Sequence, residues 1–362
     1  AFGAMDKKRA VTMRPWHTYD WEEVMAGNQV AQRYFVRSGL IRKDRLCSFV
    51  PDGFHPDTVV VRNFEGLLQA LVKFQTSAEM TSNKGVVKYV LKKAQSSNAF
   101  GIRFITDMEA AALLHTRSRR QFANWSLAIT MAAALISSRM TRRWHGLIGL
   151  APLLAAVWRF GSSCSWPSDW GKHQLADPEI SDLYVLQRNV DPWLHLGRKF
   201  HLRVLLLCVG DLKAYVCEDV RVLLATGKYA DGCSDSGRLD VHITNMAANS
   251  EVSGYCEKEQ NVALKELGEQ LATKIFGELS QVLAETLSRL RQAGRRHFFT
   301  LPNCWELFGA DFLLEAVTAR PVLLEINPSP SLAMYSSDLA SLIGDDPLNV
   351  PLPRSWCELL LA

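Results

Sequence analysis

The sequence predicts an α+β protein whose strands form antiparallel sheets. Near the C-terminus, two apolar runs at residues 310–317 and 321–326 flank a three-residue connection, as in a β-hairpin. Residues 198–226 predict three further strands, with turns near residues 210–211 and 218–219. From residue 261 to residue 296 apolar side chains recur every three or four positions, which predicts one long amphipathic helix. A shorter helix is predicted for residues 64–73.

The composition is that of an ordinary globular protein with room for two or three domains. The chain has 362 residues, of which 48% are hydrophobic and 22% charged. The net charge of +4 permits an acidic partner and gives no reason to expect nucleic-acid binding. Eight cysteines without CxxC or zinc spacing predict a reducing, cytoplasmic location, and the first residues contain no apolar run of signal-peptide length.

Three polar residues interrupt the apolar C-terminal hairpin: Asp311, Glu325 and Asn327. Asp311 and Glu325 lie seven residues from Thr318 on either side, so they face each other if the strands pair about it. Side chains alternate along a strand, which puts Glu325 and Asn327 on one face. Such a cluster of oxygens repels itself without a cation and suits Mg²⁺ carrying phosphates. The alternative is a pair of solvated acids on an edge strand.

A second hairpin is predicted between residues 86 and 105. Its strands enclose a small, hydroxyl-rich turn at residues 96–101, and Lys92 stands at the base of that turn. Hydroxyls and backbone N–H groups in such a turn can surround phosphate oxygens, with lysine as a point charge. Neither GxxxxGK[ST] nor GxGxxG occurs in the chain, so an ordinary hairpin turn remains the alternative interpretation.

Basic residues share one face of a predicted central strand. Alternation puts Lys199, His201 and Arg203 on the same side, and Arg221 begins a strand that can approach it. Cations beside a buried sheet favour an anionic ligand. Salt bridges with surface acids are the alternative interpretation of each residue.

Two apolar runs, at residues 125–136 and 147–157, flank a basic stretch at 137–143. Each is shorter than the roughly 20 residues of a membrane-spanning helix. The basic stretch between them is costly to move across a bilayer. The segment therefore predicts a helical insertion or membrane-surface contact rather than a membrane span.

Five segments of the chain, taken in order, resemble the tubulin-tyrosine ligase family, a branch of the ATP-grasp ligases. The resemblance extends from about residue 34 to residue 332 and is interrupted at about 110–165. The most specific segment, from residue 307, reads LFGADFLLE…PVLLEINPSPSL. The others are KFHLRVLLLCVGDLKAYV at 199–216, HITN at 242–245, YVLKKAQSSNAFGI at 89–102 and GLIRKDRL at 39–46.

The resemblance implies an ATP-grasp fold, in which a nucleotide is held between a central lid domain and a C-terminal antiparallel-sheet domain. It implies three domains: a small N-terminal domain at residues 1–85, the lid at 86–183 with the apolar insertion, and the catalytic domain at 184–362. The predicted cofactors are ATP and Mg²⁺.

The resemblance also implies roles for individual residues. Asp311, Glu325 and Asn327 correspond to the Mg²⁺ ligands. Residues that correspond to nucleotide-binding positions, with Gln187 at the adenine edge, are Lys92, Ser96, Ser97, Gly101, Gln187, Arg188, His242, Thr244 and Asn245. Catalytic roles beside the transferring phosphate and a bound carboxylate are implied for Lys199, Arg203 and Arg221.

The implied function is ATP- and Mg²⁺-dependent ligation of a free amino acid to a protein carboxylate through an acyl phosphate. The expected acceptor is tubulin or another acidic-tailed protein, in the cytoplasm or on microtubules. Four departures from the family pattern leave open a catalytically inactive module that binds nucleotide or microtubules: Lys93 for Pro, Ala99 for Gly, His201 for Asp and Gly227 for an acidic residue. A third reading is an ATP-grasp ligase acting on a small molecule or a protein other than tubulin.

Overall fold

The computed structural model describes residues 16–76, 87–96, 101–115, 183–231, 235–249, 254–332, 334–335 and 354–361. The chain divides into two compact units, one made of residues 1–60, 86–104 and 183–362 and the other of residues 61–85 and 105–182. The two predicted apolar runs, Ser97 and Ala99 lie outside the described residues. The predicted division into three domains stays a prediction.

The described strands are β1 (Thr58–Val61), β2 (Val87–Lys93), β3 (Arg103–Thr106), β4 (Tyr184–Arg188), β5 (Leu194–His195), β6 (Arg198–Val209), β7 (Lys213–Cys217), β8 (Arg221–Leu224), β9 (Asn261–Ala263), β10 (Trp305–Leu314), β11 (Pro321–Pro328) and β12 (Trp356–Leu359). The helices are α1 (Trp21–Ala26), α2 (Ser38–Ile41), α3 (Lys43–Leu46), α4 (Phe64–Thr76), α5 (Leu239–His242), α6 (Met246–Asn249), α7 (Glu257–Gln260) and α8 (Glu269–Gln292).

The larger sheet has eight strands and is built around β6 and β10. Its main path is β11-β10-β6-β7-β12, with β5 and β8 also pairing β6 and β9 pairing β8. Alternate residues of β6 enter two different apolar clusters. Leu202, Val204 and Leu206 pack with α8 in one cluster, while Leu205 and Leu207 pack with Trp305 in the other. β6 is therefore covered on both faces, which explains its nearly continuous apolar sequence.

The predicted helix at 261–296 is correct only for its central part. Residues 261–263 form β9, Leu264–Leu267 form a 3₁₀ turn, and α8 begins at Glu269. Gly268 separates the turn from the helix. Its φ of 116° is a conformation that an L residue rarely adopts, which explains why a glycine occupies this position. Within α8 the predicted apolar stripe is buried against the sheet.

The C-terminal hairpin has the predicted pairing at its polar positions. Asp311 faces Glu325, and Gly309 faces Asn327. The pairing then shifts by one residue, because Phe312 faces Leu323 and Leu324 is left without a partner residue. The strands therefore do not pair symmetrically about Thr318 up to the turn. This bulge lies directly beside the polar cluster.

A second sheet has the strand order β1-β4-β2-β3, and the boundary between the two units falls within β1 and β3. β2 and β3 are neighbours, which confirms the predicted hairpin. In the second unit, α4 confirms the predicted short helix and extends it to Thr76. Within the described ranges, no helix is both long enough and apolar enough to cross a membrane.

Two glycines provide a matched test of the packing between α2 and α8. A Cβ at Gly39 would lie 2.5 Å from Leu290 Cδ1 and 3.1 Å from the His297 carbonyl oxygen, whereas a Cβ at Gly277 meets nothing within 4 Å. We expect Gly277→Ala to raise the free energy of unfolding by about 0.5–1 kcal/mol. We expect Gly39→Ala to lower it by about 1–3 kcal/mol through overpacking. Urea unfolding measures both, and equal effects of the two substitutions would contradict the packing described.

Candidate functional site

A pocket in the first unit collects most of the residues singled out from the sequence. It lies where β2, β4, β6, β10, β11 and the segment after α5 meet. The predicted residues that line it are Lys92, Gln187, Arg188, Lys199, His242, Thr244, Asn245, Asp311 and Glu325. Apolar side chains, among them Val90, Phe104 and Leu313, line the same pocket. Segments far apart in sequence thus meet at one pocket.

The acidic cluster forms on the hairpin as its pattern predicts. Asn327 Nδ2 lies 3.0 Å from Asp311 Oδ2 and 3.0 Å from Glu325 Oε1, so the amide donates to both carboxylates. Within the described ranges no cluster of three or more His, Cys, Asp and Glu side chains has the spacing of a metal site. Here the third candidate ligand is an amide whose nitrogen faces the carboxylates. With the amide turned so that its oxygen faces them, two carboxylates and an amide oxygen form a donor set suited to Mg²⁺. The assignment of Mg²⁺ to these residues is a proposal.

Protein cations neutralise the two carboxylates. Arg203 binds Asp311 through two hydrogen bonds, with Nη2 lying 3.1 Å from Oδ2. Lys43 Nζ lies 3.0 Å from Glu325 Oε2 and donates to the Ser96 carbonyl oxygen at 2.7 Å. Burial by itself raises the pKa of Glu325, but the charges of Lys43 and Lys92 outweigh it and hold this pKa at about 2. Glu325 is therefore ionised over the whole physiological range.

The absent side chain of Gly309 leaves space for Arg203. A Cβ at this position would lie 3.2 Å from Arg203 Cδ and 2.9 Å from Pro330 Cβ. The glycine of LFGADF therefore lets the guanidinium stem lie against the β10 backbone. This close approach sets the position from which Arg203 reaches Asp311.

Two buried lysines, Lys92 and Lys199, face the pocket. Lys92 is 8% and Lys199 7% exposed. Across the part of the chain that the structure describes, neither ammonium group makes a hydrogen bond or a close ion pair, although Lys199 lies 5.7 Å from the Phe104 ring centre. Burial lowers the pKa of each lysine to about 8. A buried ammonium group is costly in the free protein, and a bound anion would compensate its charge, so this arrangement favours anion binding.

Gln187 occupies another part of the pocket. It is 1% exposed, and its Nε2 lies 3.3 Å from His55 Nε2 and 3.1 Å from Thr58 Oγ1. Its carbonyl oxygen Oε1 is buried and has no hydrogen-bond partner among the described residues. A buried acceptor of this kind can recognise a ligand that carries an N–H donor.

His201 lies between the acidic cluster and the HITN segment. Its Nδ1 is 2.6 Å from Thr244 Oγ1, and its Nε2 is 3.7 Å from Asp311 Oδ1. Burial lowers the pKa of His201 to about 4, so the imidazole is neutral at physiological pH. His242 stacks on Phe104, with ring centres 4.6 Å apart, and approaches the Asp235 carbonyl oxygen at 2.9 Å.

Other predicted residues lie beside the pocket rather than on its lining. Arg221 faces Arg203 across β6 and β8, but its guanidinium is paired with Asp219 at 2.8 Å and stacked near Tyr335. Ser96 donates its hydroxyl to the Lys93 carbonyl oxygen at 3.2 Å. Gly101 has φ of 71°, and a Cβ there would lie 3.0 Å from the Lys93 side chain.

Two residues of the site have no role in the sequence-based assignment: Lys43 and His55. Lys43 lies in GLIRKDRL, whose basic residues are typical of a solvated helix face, yet this lysine is 4% exposed. In the sequence, only the resemblance of GLIRKDRL to the family motif could have indicated that Lys43 belongs to the site. His55 follows an irregular segment, and nothing in its sequence neighbourhood indicates that it contacts Gln187.

Comparison with known proteins agrees with the motifs. The family model described as "Tubulin-tyrosine ligase family" matches residues 61–350. A probable tubulin–tyrosine ligase, PBY1 of Saccharomyces cerevisiae, is 28% identical over 41% of this chain and 21% of its own length. The probable tubulin polyglutamylase TTLL9 of Mus musculus is 29% identical over 51% of this chain and 42% of its own length. The matched regions thus cover less than half of these curated relatives.

A solved structure has the same fold. It is the C-terminal domain of Pby1 from K. lactis, described as an ATP-grasp enzyme that interacts with the mRNA decapping enzyme Dcp2. The similarity has a TM-score of 0.53 at 18% identity and covers 97% of this chain and 89% of that one. The predicted ATP-grasp fold is thereby confirmed.

The buried lysines give a prediction for stability. We expect Lys199→Met to raise the thermal midpoint of the nucleotide-free protein at pH 7. The substitution removes a buried charge that no hydrogen bond or ion pair from another described residue compensates. A pKa lowered on folding makes the folded state bind fewer protons, so the cost is full below about pH 8 and disappears toward the ordinary lysine pKa of 10.5. The stabilisation should therefore be of the order of 1–3 kcal/mol at pH 7 and vanish near pH 10.5.

Thermal unfolding of both proteins across this pH range provides the measurement. Lys274, which lies on the exposed side of α8 and is 64% exposed in its side chain, supplies the control substitution Lys274→Met. A pH-independent effect of Lys199→Met, or an equal effect at both positions, would contradict the assignment.

Proposed function

The chain belongs to the tubulin-tyrosine ligase family, and we propose that it is an ATP- and Mg²⁺-dependent ligase that joins an amino acid to a protein carboxylate. The observation that supports this most strongly is the pair of buried lysines, Lys92 and Lys199, facing the Asp311–Glu325 cluster in one pocket. Two cations that have no hydrogen-bonded anion among the residues of known placement, next to two acids, suit a polyphosphate that carries its own divalent cation.

The proposed reaction has two steps. An oxygen of the acceptor carboxylate attacks the γ-phosphorus of ATP, which forms an acyl phosphate and releases ADP. The amino group of the incoming amino acid then attacks the acyl carbon, so an amide forms, inorganic phosphate leaves and the amine loses a proton. Such a reaction needs positioning and charge neutralisation more than a protein nucleophile.

The roles of the residues follow from their charges and positions. Lys92 and Lys199 hold phosphate oxygens, and Arg203 places positive charge beside the transferring phosphoryl group. Asp311, Glu325 and Asn327 hold Mg²⁺, which neutralises phosphate charge when it is bound. Arg221 holds a substrate carboxylate.

The remaining nucleotide contacts belong to the same proposal. Gln187, Arg188 and the residues of HITN, namely His242, Thr244 and Asn245, line the base and ribose side. The segment with Ser96, Ser97 and Gly101 closes over the phosphates.

We further propose that the acceptor is an acidic tail, such as that of tubulin, in the cytoplasm or on microtubules. Several relatives are named for tubulin modification, among them the tubulin monoglutamylase TTLL4 of Homo sapiens, 29% identical over 43% of this chain and 14% of its own length. A net charge of +4 favours an acidic partner. The co-substrate is a free amino acid.

Purified tubulin incubated with the protein, Mg-ATP and mixed amino acids tests this function. We expect mass spectrometry to show acceptor peptides heavier by whole amino-acid residues, only when ATP is present. The mass added identifies the amino acid, and the modified peptide identifies the acceptor. ATP hydrolysis or ligation without dependence on an acceptor protein would contradict the proposed acceptor.

The magnesium assignment has its own test in nucleotide binding. We expect Glu325→Gln and Asn327→Ala each to weaken Mg-ATP binding at least tenfold while leaving Mg²⁺-free ATP binding less affected, because they remove proposed metal ligands. Calorimetric titration with and without Mg²⁺ measures this difference. Glu315→Gln is the matched control: this acid is on the same hairpin, near its turn, and pairs with Arg320. Unchanged Mg-ATP binding in both site variants would contradict the assignment of Mg²⁺ to these residues.

A nucleotide-binding module without turnover is the second candidate function, and His201 favours it. This buried, neutral imidazole stands where the family pattern has an aspartate, 3.7 Å from Asp311. If this candidate is correct, the protein binds Mg-ATP but adds no amino acid to any acceptor offered. We then expect His201→Asp to restore measurable turnover, which would assign the loss of activity to this one position.

A further inference from the structure

The hydrogen-bond network around Gln187 fixes the direction of every proton in it. His55 Nδ1 lies 2.7 Å from the Leu323 carbonyl oxygen, and a carbonyl oxygen only accepts, so Nδ1 carries the proton. Burial lowers the pKa of His55 to about 4, so the ring is neutral and its Nε2 presents a lone pair. That lone pair faces Gln187 Nε2 at 3.3 Å.

A second backbone carbonyl fixes the other side of the network. The Thr58 hydroxyl donates to the Pro56 carbonyl oxygen at 2.7 Å. Its oxygen therefore accepts from Gln187 Nε2 at 3.1 Å. Both hydrogens of the Gln187 amide are thus directed at protein acceptors. The opposite amide orientation would place Oε1 against two acceptors, so the network excludes it.

This arrangement leaves Gln187 Oε1 as the group presented to a ligand. The side chain is almost fully buried, lines the pocket, and has no hydrogen-bond partner for Oε1 among the described residues. A buried carbonyl oxygen in this state requires a donor and repels another oxygen.

We propose that His55 and Thr58 are positioning residues that lock Gln187 as a hydrogen-bond acceptor and thereby make the site select a purine with an amino group at its 6-position. Adenine satisfies Oε1 with its 6-amino group, whereas hypoxanthine and guanine place a carbonyl oxygen there. This selectivity rests on the proposed nucleotide-binding function. His55 and Thr58 act through Gln187 and not by contact with the base.

Competition binding of ATP and inosine triphosphate to the full chain tests the inference. The two nucleotides differ at the 6-position of the base, so the ratio of their dissociation constants isolates this contact. We expect the wild-type protein to bind ATP about 10- to 100-fold more tightly, the factor associated with an unsatisfied buried acceptor. We expect the ratio to fall severalfold in His55→Leu and in Thr58→Val, and toward one in the double variant.

Thr58→Ser is the matched control, because it keeps the hydroxyl that Thr58→Val replaces with a methyl group. We expect it to keep the wild-type ratio. A merely structural role for these residues would weaken ATP and inosine triphosphate equally and leave the ratio unchanged. The isosteric Thr58→Val variant keeps the test decisive if the double variant does not fold.

The outcomes separate the two proposals. A wild-type protein that binds ATP with no preference over inosine triphosphate, or whose preference survives both substitutions, overturns the selectivity inference and leaves the nucleotide site intact. A wild-type protein that binds neither nucleotide overturns the proposed function and this inference with it.

Discussion

The buried pairing of Arg203 with Asp311 is the constraint on which both the sheet and the site depend. These residues face each other on β6 and β10, the two central strands of the larger sheet. A slip of one residue in this pairing would turn Asp311 toward the apolar side of the sheet, where the charge would have no partner. Buried ion pairs gain little net stability when intact, but removing one partner leaves an uncompensated charge that costs about 3–5 kcal/mol. The pair therefore specifies strand register more than it adds stability. Glu325, which faces Asp311 on the next strand, reaches the pocket, and Asn327 lies beside it.

The buried residues around this pair carry more positive than negative charge, and the excess positive charge lies at the pocket. Arg203 and Lys43 account for the two carboxylates, Asp311 and Glu325. Lys92 and Lys199 then remain as cations in surroundings that lower their pKa. A protein selected only for stability gains nothing from this arrangement, since an apolar side chain of similar length would avoid the desolvation cost. The proposed polyphosphate ligand would supply the missing negative charge. The cost of burying Lys92 and Lys199 in the free protein is thus consistent with the proposed function.

The sequence predicts features that depend on local pattern and misses those that depend on tertiary approach. The register at Asp311 and Glu325 follows from alternation, and the basic face of β6 follows from the same rule. The bulge at Leu324 has no sequence signal, because neither neighbour is a glycine. The apolar spacing before Gly268 is compatible with a helix, and only the backbone conformation at that glycine shows where α8 begins. His55 reaches Gln187 across 132 positions, a proximity that no spacing rule predicts.

Two departures from the family pattern, Gly227 and His201, differ in how strongly they bear on catalytic activity. A Cβ at Gly227 would lie 2.6 Å from Asp240 Oδ2 and 2.7 Å from Val241 Cγ1. An acidic side chain at position 227 would therefore collide with a carboxylate that already occupies the space beside it. The carboxylate of Asp240 occupies the space that an acidic side chain at position 227 would need. The glycine at this position is therefore weak evidence against activity. At position 201, by contrast, a neutral ring replaces a carboxylate next to Asp311 and removes one negative charge from the cluster. The choice between the two proposed functions, ligase or nucleotide-binding module, therefore depends on His201 far more than on Gly227.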